Sequence, residues 1–147
     1  MTNCTQVVFD FPALKRRKVQ AEFSGGDISS DGGVLLLREI DRRLGLIKAI
    51  DNVIHDPRDP RYVTHSQLSL LRQRIYGIAL GYEDLIDHET LRTDPAIQTS
   101  VNRDEDLGSQ STLCRLENRI DRQVAVRIHE VILDQFTSRL MRPHPKS

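Results

Sequence analysis

Four consecutive cations, Lys15, Arg16, Arg17 and Lys18, form the only run of this length in the sequence. They lie between two stretches with strand-like patterning, so we expect them at the tip of a loop. A basic loop can contact the phosphates of a nucleic acid, which gives salt-dependent affinity but does not read the base sequence. The alternative is a solvated turn whose charges only improve solubility.

A second candidate site is the start of a predicted helix near residue 110, where hydroxyl and amide side chains precede an arginine. Its members are Ser109, Gln110, Ser111, Thr112 and Arg115. This composition is typical of a helix that enters the major groove of DNA. The shorter predicted helix at 95–101 would then be the first helix of a helix-turn-helix motif. The alternative is that the hydroxyl groups of Ser109 or Ser111 only cap the helix.

Acidic residues and a histidine cluster at 83–89. Asp84 would share one face of a helix with Asp87 or His88, and carboxylate and imidazole ligands could hold a divalent ion. The alternative, which we favour, is that acids concentrate in the first turn of a helix because its dipole favours negative charge there. We therefore assign no metal ligand and no catalytic residue to the chain.

The composition indicates a globular protein, since 38% of the 147 residues are hydrophobic and 29% are charged. No apolar run approaches the roughly 20 residues needed to cross a bilayer, and the N-terminus lacks the pattern of a signal peptide. We therefore expect a cytoplasmic protein with no membrane partner. Cations and acids both number 21, so binding of a polyanion would require a local concentration of cations.

The elements that must position these residues are mainly α-helical and follow a small N-terminal β element. Alternation of apolar and polar residues predicts the strands, and a basic loop joins them within 1–23. A helical domain is expected at 24–141, followed at 142–147 by a linker that is cut short. Helical periodicity is strongest at 33–50, 65–80 and 121–140, and shorter helices are expected at 83–92, 95–101 and 109–120.

The same periodicity predicts which side chains face the core. In the first long helix we expect an apolar face of Val34, Leu37, Ile40, Leu44 and Ile47. In the second we expect a polar, outward face of Gln67, Arg72, Gln73 and Arg74. In the last we expect Val124, Ile128, Val131 or Ile132, Phe136 and Leu140 to be buried.

Five segments, in this order, resemble the N-terminal region of the insertion-sequence transposases grouped as the DDE domain group 1 family. They are 23–33 (FSGGDISSDGG), 65–74 (ending LLRQR), 79–85 (ALGYEDL), 91–95 (LRTDP) and 107–118 (LGSQSTLCRLEN). The resemblance covers most of the chain. It implies a recombinase whose ribonuclease-H-like core uses three acidic residues and two divalent ions, Mg²⁺ in the full-length family, to attack DNA.

The resemblance also implies that the strand carrying the first catalytic aspartate follows the last helix and would begin beyond Ser147. We therefore expect an N-terminal fragment that binds the ends of an insertion sequence or supports the core. We expect it to hold no cofactor and to be inactive alone. Its partners would be DNA, full-length transposase or a second copy of itself. The alternatives are a self-standing DNA-binding or oligomerising regulator of transposition, and an inactive remnant.

Overall fold

A computed structural model describes residues 8–15, 17–22 and 31–140, and the fold within these ranges is mainly α-helical, as predicted. Two strands come first, β1 (Val8–Leu14) and β2 (Arg17–Glu22). The helices are α1 (Val34–Leu44), α2 (Leu46–Val53), α3 (Gln67–Ala79), α4 (His88–Leu91), α5 (Pro95–Ser100), α6 (Gln110–Glu117) and α7 (Arg122–Leu140). Single 3₁₀ turns occur at Pro60–Tyr62 and Leu85–Asp87. The expected linker at 142–147 lies outside the described residues.

The strands form an antiparallel hairpin with Val8 opposite Glu22 and Phe11 opposite Val19. Lys15 adopts a left-handed backbone conformation (φ 51°) at the turn, which is uncommon for a residue other than glycine. The buried side chain of Arg38 on α1 ties the hairpin to the helices. Its Nη1 donates to the carbonyl of Pro12 at 3.1 Å, and its Nη2 donates to Asn102 Oδ1 at 2.8 Å.

The first predicted long helix is two helices, because the chain turns at Gly45. This glycine adopts the left-handed conformation (φ 67°) and donates its N–H to the carbonyl of Asp41, which closes α1. The Asp41 carboxylate then accepts the backbone N–H of Ile47 at 3.0 Å, so it supports the start of α2. One predicted apolar contact is wrong: Ile40 is 51% exposed, since the hairpin draws Arg38 inward instead.

The prediction of a polar outward face on α3 is also wrong. Gln67 and Gln73 are buried, and Arg72 and Arg74 are half-buried in ion pairs, while the apolar Ile78 of the same helix is exposed. The physical reason is that α3 packs against α2 and also against α6. Its polar side chains therefore face neighbouring helices, where they bond to other elements rather than to water.

The core draws on every long helix. Its buried apolar side chains are Val34, Leu35, Ile47, Ile50, Ile54, Leu70, Leu71, Tyr76, Leu91, Ile97, Val101, Leu107, Leu113, Leu116 and Val124. Helix α7 packs on α2 through the side of α7 that carries Val124, Ile128 and Val131. The predicted burial of Phe136 is wrong, because this side chain is 62% exposed.

Candidate nucleic-acid interface

The basic run predicted from the sequence lies at the turn of the hairpin. Lys15 occupies the turn, and its Nζ is 2.8 Å from a carboxylate oxygen of Asp104. Arg17 begins β2, where Lys18 is exposed to solvent. Arg16 lies outside the described residues. The turn therefore carries exposed positive charge, but the ion pair with Asp104 partly neutralises Lys15.

The start of α6 is held by a carboxylate from another helix. Glu89 Oε1 accepts the backbone N–H of Gln110 at 2.7 Å, so negative charge already occupies this helix end. Ser109 stands at the N-cap position but does not cap the helix through its side chain. Its hydroxyl instead lies 3.1 Å from the hydroxyls of Ser111 and Thr112. Capping by Ser109 thus does not explain the hydroxyl groups.

Helices α5 and α6 do not form the predicted helix-turn-helix. A nine-residue segment, 101–109, separates them, whereas the turn of that motif has three or four residues. Helix α5 packs against α1, and α6 packs against α3 and the Leu85–Asp87 turn. The sequence pattern failed here because the buried Leu107, which belongs to the connecting segment, packs into the core and lengthens the connection.

Two contacts from α3 position α6. The carboxamide of Gln73 donates to the carbonyl of Gly108 at 2.8 Å and accepts the N–H of Gly108 at 3.0 Å. Nearer the other end of α6, Arg74 Nε donates to Glu117 Oε1 at 2.6 Å. Both ends of α6 are therefore fixed to α3, which sets the direction of the side chains that α6 presents.

A cleft of about 420 Å³ lies between α6 and the segment 58–65. It is lined by Arg58, Tyr62, Val63, Thr64, His65, Thr112, Arg115 and Arg119. Two of the sequence-predicted site residues, Thr112 and Arg115, therefore come together there, while the other predicted residues whose side chains the structure describes do not line the cleft. The spacing of Thr112, Arg115 and Arg119, three and then four residues, is the sequence signal that places them on one side.

Asp56 holds two of the cleft arginines. Its Oδ1 accepts from Arg58 Nε at 2.8 Å and from Arg119 Nη1 at 2.7 Å, and its Oδ2 accepts from Arg58 Nη2 at 2.6 Å. These hydrogen bonds, above all those from Arg58, hold the pKa of Asp56 well below its usual range. Arg58 Nη1 also donates to the carbonyl of His65. The pairing of Asp56 with Arg119 spans 63 residues, so local sequence patterns do not reveal it.

Arg115 differs from its two neighbours. It is exposed, and it makes no hydrogen bond or ion pair with any residue in the described ranges. Its guanidinium is therefore available to an anion. Three arginines, Arg58, Arg115 and Arg119, line the cleft. Asp56 pairs with Arg58 and Arg119 and offsets one of these charges, so the cleft has an excess of positive charge.

The loop before α6 connects the cleft to the hairpin turn. Arg103 Nη1 donates to the carbonyl of Thr64, a cleft residue, at 3.0 Å, while the next residue, Asp104, contacts Lys15. The two basic regions that the sequence placed far apart are thus joined through successive residues of one loop. This loop also carries Asp104, Glu105 and Asp106, so the two basic regions are linked through an acidic segment.

His65 adds a polar group with an unmet hydrogen bond. Its Nδ1 is buried without a partner among the described residues. Burial of the ring, and then the positive charge of Arg103, Arg92 and Arg58, lowers the pKa of His65. The imidazole is therefore neutral near pH 7, with one nitrogen able to donate and the other able to accept a hydrogen bond.

The acidic stretch 83–89 does not converge on one point. His88 is fully buried, with its ring against Gly77 and its Nδ1 3.4 Å from Gln73 Nε2, while Glu89 binds the start of α6. Burial lowers the pKa of His88, which is a neutral core residue. Within the described ranges, no three residues with metal-binding side chains come together.

These features describe a helical domain with a positively charged cleft, which is a class of structure suited to a polyanionic ligand. Residues 11–146 match the profile of the family described as Transposase DDE domain group 1. The chain belongs to this family of DNA transposases. No curated protein and no solved structure matches the chain. Among the described residues, no helix is both long and apolar enough to span a bilayer.

Proposed function

We propose that the chain acts in DNA transposition as a DNA-contacting part of an insertion-sequence transposase. The observation that carries this proposal is the cleft at α6, where the uncommitted guanidinium of Arg115 stands among other cations. A charged arginine without a carboxylate partner is suited to a phosphate or to the edge of a guanine. The ligand would be the end of the mobile element.

The proposed DNA surface has two parts with different tasks. The hairpin turn supplies phosphate contacts, which hold DNA without reading its sequence. Its residues are Lys15, Arg16, Arg17 and Lys18. On a closed duplex, the α6 side supplies the sequence-dependent contacts, from Ser109, Gln110, Ser111, Thr112 and above all Arg115. The carboxylate of Glu89 at the start of α6 argues against a phosphate bound to the amides of this helix end.

We propose further that the described residues do not cut DNA. Two divalent ions need carboxylates that hold them about 4 Å apart. Two of the carboxylates already have other partners: Asp41 binds Arg72 and the N–H of Ile47, and Asp56 binds two arginines. These residues do not fit a metal pair, so the Mg²⁺ of the family would need ligands other than these. The chain would then contribute binding and support rather than chemistry.

Titration with DNA tests the proposal. The probe is a fluorescent duplex carrying the terminal repeat of the element, with a scrambled duplex beside it, at two salt concentrations. Replacing Lys15–Lys18 by alanine should weaken binding to both duplexes and flatten the salt dependence, by up to about one unit of slope per lost phosphate contact. Wild-type chain that binds neither duplex would refute the proposal.

Incubation with Mg²⁺ or Mn²⁺ and the same end duplex tests the second part. We expect neither nicking nor strand transfer, because the carboxylates described above are engaged by arginines and backbone amides. Metal-dependent cleavage that copurifies with the chain through two different columns would contradict this expectation.

The exposed side of α7 favours a second role, in oligomerisation. Val126, Ile132, Leu133 and Phe136 are each 44–62% exposed there. Exposed apolar side chains gathered on one side of a helix are typical of a surface that another protein chain covers. The partner would be a second copy or full-length transposase, so light scattering with and without the latter tests this role. A monomer that also ignores full-length transposase would exclude it.

A further inference from the structure

The shape of the cleft limits the DNA that can enter it. A volume of about 420 Å³ is in the range of small-ligand sites and holds about one nucleotide. A DNA duplex is too wide to enter this cleft, since its major groove alone is about 12 Å wide. It can only lie across the opening. The cleft therefore fits a unit of nucleic acid that has left the double helix.

Tyr62 stands at this cleft with most of its ring in solvent. It is 82% exposed, more than any other large hydrophobic side chain among the described residues, and it takes no part in the core. The guanidinium of Arg61 lies 5.8 Å from the ring centroid, and Asp59 in turn binds Arg61 at 2.6 Å. One face of the ring is thus supported, and the other can accept a flat partner.

The rest of the cleft complements a nucleotide. Arg115 is available to a phosphate, and Thr112 adds a hydroxyl on the same side. His65 also lines the cleft beside them. An aromatic ring beside cations is the arrangement by which proteins bind single-stranded nucleic acid, because every base can stack.

We propose that this cleft binds one unpaired nucleotide of DNA, with its base stacked on Tyr62 and its phosphate at Arg115. This inference rests on the proposed function and extends it, because it names the form of DNA that the site prefers. Bases inside a duplex are stacked on each other and cannot reach the ring. The site would therefore recognise a frayed or single-stranded DNA end over a closed duplex.

Fluorescence anisotropy with three DNA probes tests the inference on the full chain. The probes are a blunt 20-base-pair duplex, the same duplex with a three-nucleotide 3′ overhang, and a 12-nucleotide single strand. Wild-type chain should bind the overhang more tightly than the blunt duplex. Tyr62→Ala should remove this preference, with a loss of about 5- to 150-fold on the overhang, the equivalent of about 1 to 3 kcal/mol for one stacked base.

Three variants separate stacking from other effects. Tyr62→Phe keeps the ring and should keep the preference. Leu36→Ala removes an exposed apolar side chain on α1 that does not line the cleft, and should change neither affinity. Arg115→Ala should weaken binding of both duplex probes. Since Tyr62 is so exposed, its replacement should leave the circular dichroism spectrum and the denaturation midpoint unchanged.

The possible failures can be told apart. If blunt and overhang probes bind equally and Tyr62→Ala has no effect, while Arg115→Ala still weakens binding, the nucleotide cleft is refuted and the proposed function stands. If Tyr62→Phe loses as much as Tyr62→Ala, stacking is refuted. If wild-type chain binds no probe, both the inference and the proposed function are refuted.

Discussion

The contact between Gln73 and Gly108 provides the strongest test of how the fold positions α6. Gln73 is 1% exposed, and its carboxamide bonds to both the N–H and the carbonyl of Gly108. Gln73→Ala would leave these two backbone groups in the interior without partners. A buried polar group that loses its partner costs about 1 to 3 kcal/mol, so we expect a loss of about 3 kcal/mol after partial relaxation.

Urea denaturation followed by circular dichroism measures this loss. A change of about 3 kcal/mol is large against the 5 to 15 kcal/mol that stabilise an average domain. The matched control is Gln123→Ala on the exposed side of α7, which should change the free energy of unfolding by less than about 0.5 kcal/mol. A loss for Gln73→Ala no larger than that of the control would refute the argument.

A second substitution at this position tests the hydrogen-bond pattern itself. In Gln73→Glu the ionised side chain can accept the N–H of Gly108 but cannot donate to its carbonyl. Burial raises the pKa of a carboxyl group, because the charged form is desolvated. The protonated form can donate again, so the destabilisation relative to wild type should shrink as the pH falls below 7. A loss of unfolding free energy that stays constant between pH 7 and pH 4 would contradict the two hydrogen bonds between residue 73 and Gly108.

Three further predictions concern stability. Asp56→Asn should lower the free energy of unfolding by about 2 kcal/mol at pH 7, as measured by urea denaturation. A carboxylate with a lowered pKa stabilises the fold above its unfolded pKa of about 4, so the deficit should fade as the pH drops below that value. A deficit that does not depend on pH would exclude the carboxylate charge as its cause. Gly77→Ala should lower the melting temperature, since the added Cβ would lie 2.7 Å from Cε1 of the buried His88. The control is Gly33→Ala, where the added Cβ has no atom within 4 Å, and equal changes in melting temperature would argue against a clash. Asp94→Ala removes the acceptor for two backbone amides of α5 and should cost about 1 kcal/mol, so an unchanged denaturation midpoint would count against capping.

The sequence allowed the fold class and the existence of most helices to be predicted, because apolar periodicity reflects burial on one side of a helix. It failed where a helix has more than one neighbour. Gln73 looks like a surface residue until α6 is placed against α3. Ile40, which was expected in the core, is exposed. Arg38 is buried instead, because the β hairpin, which no helical pattern reveals, supplies the carbonyl of Pro12 as an acceptor.

Only the part of the candidate site that lies on one helix could be predicted from the sequence. Thr112 and Arg115 lie on one helix, so their spacing indicated a shared side. Arg58 is held at the cleft by Asp56, two residues before it, and by the carbonyl of His65. The sequence held a hint in the alternation of aspartate, proline and arginine at 56–61, but the partner Arg119 is too distant in the chain for local patterning to reveal.

Mapping the surface in solution shows directly whether the cleft beside α6 contacts DNA. Two-dimensional ¹H–¹⁵N spectra of the full chain would be recorded with increasing amounts of the end duplex. The largest shifts should occur in the backbone amides of 58–65 and 112–119, with smaller shifts at the hairpin turn and little change along α7. Shifts that concentrate on α7, or that leave 58–65 and 112–119 unchanged while DNA binds, would contradict the account.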